Sequence, residues 1–68
     1  MKYYIVVLRK KEPNKRVILG EYDDLETALS FGEQFNETAE RGDIISCISN
    51  YTKEPGRERF TVHESWFY

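Results

Sequence analysis

Tyr3-Tyr4-Ile5-Val6-Val7-Leu8 is the longest uninterrupted apolar run in the chain, and both of its alternating sets are apolar. Such a run is far too short to span a bilayer, which takes about 20 residues as a helix. Its β-branched and aromatic residues favour an extended strand. A strand with one wet face alternates apolar with polar side chains. This one does not: Tyr3, Ile5 and Val7 fall on one side, and Tyr4, Val6 and Leu8 on the other. A strand of that kind needs apolar cover on both faces.

One element can supply part of it. Leu25, Ala28, Leu29, Gly32, Phe35 and Ala39 recur at helical spacing, with Phe31 at the margin of their stripe. Asp23 and Glu26 read as a capping box at the start. Gly42, just after Arg41, reads as the left-handed stop. The pattern predicts a helix over residues 25–41, about 25 Å long. Gly32 lies near the middle of the apolar stripe, where a glycine costs about 1 kcal/mol relative to alanine. It implies a close approach of the helix backbone to a sheet. Glu26, Glu33, Glu37 and Glu40 form an acidic stripe on the opposite side.

Four strands flank that helix, over residues 2–9, 16–22, 43–51 and 59–67. The connections Lys11-Glu12-Pro13-Asn14-Lys15 and Lys53-Glu54-Pro55-Gly56-Arg57 share a turn chemistry. Proline presets φ, and the Asn or Gly after it tolerates positive φ. The order is β-β-α-β-β, an α+β domain with a four-stranded, mostly antiparallel sheet and one helix on one face. Strands two and three then run in the same direction, and the hairpin tips lie at opposite ends. The spatial order is either 2-1-3-4 or 2-1-4-3.

Length allows a single compact domain over residues 1–68, and the apolar share of 40% with ten aromatic residues argues against disorder. A domain this small buries only about 60% of its unfolded surface, so disulfides, metals or a partner chain often support it. One cysteine excludes an internal disulfide. The first apolar run is shorter than a signal-peptide core and is followed by Arg9-Lys10-Lys11, so a cytoplasmic location and no membrane attachment are expected. Self-association is left as the expected support.

Charge is uneven along the chain. Residues 1–19 carry a net +5, residues 20–45 a net −7, and the rest balance. Lys10, Lys11, Lys15 and Arg16 crowd the first hairpin tip, which raises nucleic-acid binding as the alternative function. The acidic overall balance argues against it, as does a second basic cluster (Lys53, Arg57, Arg59) at the far end of the sheet. Lysines at a tip also discourage strand edges from pairing.

Catalysis and cofactors find no support. Cys47 and His63 are the only residues of their kinds. A nucleophilic dyad would need them in contact with a third group orienting the base. Cys47 sits mid-strand, where a small buried thiol is the usual reading. No ligand spacing typical of zinc or calcium is present, and no glycine loop that cradles phosphate.

The remaining signal is apolar excess. One helix about 10 Å wide cannot cover a four-stranded sheet about 19 Å across. Three aromatic residues also close the sequence, Trp66, Phe67 and Tyr68. The expected function is a non-enzymatic protein–protein interaction or regulatory module, homodimeric or bound to another protein. Its expected interface is Tyr3, Ile5, Val7, Tyr51, Trp66, Phe67 and Tyr68.

Overall fold

The computed structural model describes residues 1–68. Its elements are β1 (Tyr3–Leu8), β2 (Arg16–Tyr22), α1 (Leu25–Glu37), β3 (Ile44–Glu54) and β4 (Arg57–Phe67). They form one four-stranded sheet in the order β2-β1-β3-β4, with every neighbouring pair antiparallel. The doubly apolar strand β1 is central, as its composition requires. Ile5, Val6 and Val7 are each no more than 2% exposed. Strands β2 and β3 run parallel on either side of β1, joined by α1.

The helix packs on the face built from the odd-numbered residues of β1. Ile5, Val7, Ala28, Ile45 and Cys47 form the buried centre there, with Val17, Leu19, Leu29, Phe35 and Trp66 packed around it. Gly32 makes the close approach that its position implied. A Cβ on it would run into the six-membered ring of Trp66 and lie 3.1 Å from Ile5 Cδ1.

Both helix ends differ from the sequence reading. Asp24, not Asp23, is the N-cap: it accepts from the Thr27 backbone N–H at 3.0 Å and from Thr27 Oγ1 at 3.1 Å. Asp23 is instead paired with Lys2. The helix stops at Glu37, because the Thr38 and Ala39 N–H groups turn back to the Phe35 and Asn36 carbonyls. These tighter bonds end the helical ladder. Gly42 does adopt a left-handed φ of 95°, but in the loop to β3, where Asp43 N–H donates to the Glu40 carbonyl at 3.0 Å.

The second hairpin is longer than expected. Strands β3 and β4 stay paired out to Glu54 and Arg57, which leaves Pro55-Gly56 as a two-residue turn with Gly56 at φ 76°. The ladder is interrupted between Ser49 and Thr52, where Asn50 takes a φ of 55°. Beyond this kink the hairpin folds back across the sheet. Arg16, on the edge strand β2, pairs with Glu58 on the opposite edge strand β4, and its guanidinium sits 4.8 Å from the centroid of Phe60. Two strands separate β2 from β4, so these contacts reach over the face opposite the helix.

Candidate interaction surface

On the face opposite the helix, the even-numbered residues of β1 meet Ile18, Ile44 and Ile48 from the neighbouring strands. The folded-back hairpin supplies their cover from within the same chain. Tyr51 packs edge-on against Tyr4, with ring centroids 6.5 Å apart, and also contacts Phe60 at 5.9 Å. The Tyr51 hydroxyl donates to Glu58 Oε1 at 2.8 Å, and Arg16 engages the other carboxylate oxygen. The bond from Tyr51, ahead of the pairing with Arg16, holds the Glu58 carboxyl below its ordinary pKa. Burial, and then the Glu58 acceptor, push the Tyr51 phenol up. Val6 and Ile48 are sealed off, at 1% and 0% exposed.

The cover is incomplete. Phe67 is 73% exposed and Val62 51%. Both line a shallow groove of about 220 Å³ on this face, together with half-buried Leu8, Ile44 and Phe60. Ile18 lies exposed toward the β2 edge. The open apolar surface thus concentrates along β4, a strand with one free edge.

The seven expected interface residues separate accordingly. Ile5 and Val7 are enclosed beneath α1 of their own chain, which removes them from contact with any partner. Trp66 is a core residue against Gly32, because its register opposite Ile45 turns it to the helix side. Tyr3 packs at the edge of the same core and against His63, at 5.3 Å between rings. Tyr51 is taken up by the folded-back hairpin. Phe67 and Tyr68 alone are open to solvent. Val62 and Phe60 also lie on this outer face.

The basic tip also divides. Arg16 is committed to Glu58 and Phe60, Lys10 lays its stem over Gly42, and Lys15 borders, together with Arg16 and Lys53, a hollow on the face opposite the helix. Lys10 and Lys11 border a cleft on the helix side. The four residues therefore divide between two faces rather than forming one basic surface, and the fold-back brings Lys53 of the second basic cluster beside Lys15 instead of leaving it at the far end of the sheet. His63 sits at a bulge and shares a 2.7 Å hydrogen bond with Ser49 Oγ through its Nε2. Cys47 is fully enclosed, and burial, with the negative charge of Glu64 second, raises its thiol pKa.

Comparison with protein-family models, curated proteins and solved structures returned no match. No helix is long and apolar enough to cross a membrane.

Proposed function

We propose that this chain is a non-enzymatic protein-binding module that pairs with a second copy of itself through the outer face of its sheet along β4. The observation that carries the reading is Phe67, an aromatic side chain left in water beside an apolar groove on the same face. A two-fold contact places the same patch on both subunits, so each Phe67 would enter the other's groove. Exposed aromatics of this kind act as anchors in interfaces. Pairing would also offset the limited burial available to so small a domain. A reducing, cytoplasmic setting suits a chain whose single cysteine is buried. Nucleic-acid binding by the first tip is the weaker reading, since Arg16 is already paired within the chain.

Sedimentation at about 100 μM, a concentration at which even micromolar pairing is nearly complete, is expected to give a mass near twice 8.1 kDa. Phe67→Asp and Val62→Asp should each return the chain to one copy without changing its circular dichroism. A single-copy mass for the unaltered chain would overturn the proposal.

A further inference from the structure

A cleft of about 550 Å³ opens on the helix side of the sheet, between the β1–β2 loop and the loop from α1 to β3. That volume is within the roughly 300–1,000 Å³ range of small-molecule sites. Its apolar floor includes Leu19, Phe35 and Ile45, and Arg9, Lys10, Lys11 and Arg41 border it. Glu12 and Glu40 are exposed at the same rim, so the cations outnumber the rim carboxylates.

Asp43 is the unusual member. It is 7% exposed, and its main chain is satisfied: its N–H donates to the Glu40 carbonyl, and its carbonyl accepts from Tyr68 N–H at 3.3 Å. Its carboxylate accepts no hydrogen bond and pairs with no cation. The residue is mostly buried but its carboxylate oxygens still touch solvent, so Asp43 presents at the cleft wall a negative charge that no group of the chain neutralises and that a cationic group can pair with. The last turn of α1 carries no basic side chain and borders the same cleft through Phe35 and Thr38. The negative end of the helix dipole therefore adds to the negative potential beside Asp43.

We propose that this cleft binds a free α-amino acid with an apolar side chain. Its ammonium would meet Asp43 and the helix end, its carboxylate the basic rim, and its side chain the apolar floor. A simple anion leaves Asp43 unpartnered and is repelled by it. A simple amine satisfies Asp43 but meets the excess of cations. A ligand carrying both charges answers both demands. The cleft lies on the opposite side of the sheet from the proposed pairing face, so the two proposals stand or fall separately.

The test is an amide NMR titration of the full chain with four probes: L-phenylalanine, N-acetyl-L-phenylalanine, phenethylamine and inorganic phosphate. Phenylalanine should shift amides in residues 9–12 and 38–45. The N-acetyl compound and the amine should each bind roughly tenfold more weakly, the share of one lost charge-assisted hydrogen bond. Asp43→Asn should erase the preference for phenylalanine over its N-acetyl form. Arg41→Gln should weaken phenylalanine but not phenethylamine, and it decides the matter if Asp43→Asn does not fold. The proposal is overturned if phenylalanine moves no amide at about 10 mM, a binding energy of under 3 kcal/mol. It is equally overturned if the N-acetyl form or phosphate binds as tightly as phenylalanine, or if the preference survives in Asp43→Asn. Unchanged phenylalanine binding in Arg41→Gln has the same force.

Discussion

The ring of Trp66 occupies the space that a side chain on Gly32 would need, so β4 and α1 interlock with nothing between them. This contact ties the last strand to the helix, although the helix lies mainly over β1 and β3. It also explains why a glycine is found in the middle of a helix, where alanine would be the better helix former.

Gly32→Ala should therefore destabilise the fold. Alanine gains about 1 kcal/mol of helix propensity, but the added methyl overpacks a filled core at about 1–3 kcal/mol. The expected result is a lower urea midpoint, read by fluorescence of the single tryptophan, Trp66. A higher midpoint would show that the ring yields easily and that the interlock is loose.

Asn50 is the one non-glycine residue with positive φ, and it marks the kink where the second hairpin turns back. Asn50→Gly should leave the fold-back in place, because glycine adopts that conformation freely. Asn50→Val should cost about 1–2 kcal/mol, the penalty for a left-handed residue. Nuclear Overhauser contacts between Tyr4 and Tyr51 report the docking; their survival in the valine variant would show that the kink does not depend on this residue.

Glu58 gives the fold-back a pH dependence. Folding depresses its pKa, so the folded state binds this proton less readily than the unfolded chain. Its contribution is complete above the ordinary glutamate pKa of about 4.3 and disappears as pH falls through the lower folded value. Glu58→Gln should thus be less stable than the unaltered chain at about pH 7, and the difference should shrink by about pH 3. A gap that stays constant with acidification would remove the carboxylate from the account.

Cys47 is fully enclosed and its thiol is held in the protonated form by burial. A thiol-specific reagent attacks the thiolate, so native protein should label only when the core opens. Labelling should then accelerate in urea in step with unfolding. Rapid labelling in plain buffer would reveal a local opening between α1 and the sheet.

The architecture was legible because its signals are local. Helical spacing from Leu25 to Ala39, the β-branched and aromatic character of the strands and the two proline turns need no distant partner to be read. The glycine at position 32 even announced the close approach, though not that Trp66 would fill it. What the sequence did not disclose depends on long-range geometry. Val7 and Val6 are the same residue type, and nothing in the run from Tyr3 to Leu8 says which set the helix will cover. Trp66 and Phe67 are adjacent aromatics whose fates are opposite because the register with Ile44 and Ile45 sends one inward and the other out. The fold-back turns on Asn50 in an uncommon backbone conformation, and its closing pair, Arg16 and Glu58, is 42 positions apart. One hairpin of the same chain covers much of the far face, which no local pattern announces, and the exposed remainder lies mainly along β4.

Apolarity on both sides of β1 has a cost of its own. In most half-wet strands, slippage by a single position is punished at once, because greasy groups are thrown into water. Here a shifted frame would trade Ile5 and Val7 for neighbours of equal oiliness, with little penalty from solvent. Hydrophobicity keeps this strand inside, but only shape tells it which way to face. The bulge between Ile5 and Val6 opposite Leu19, and the slot above Ile5 left by an absent side chain at position 32, act as keys that admit one alignment.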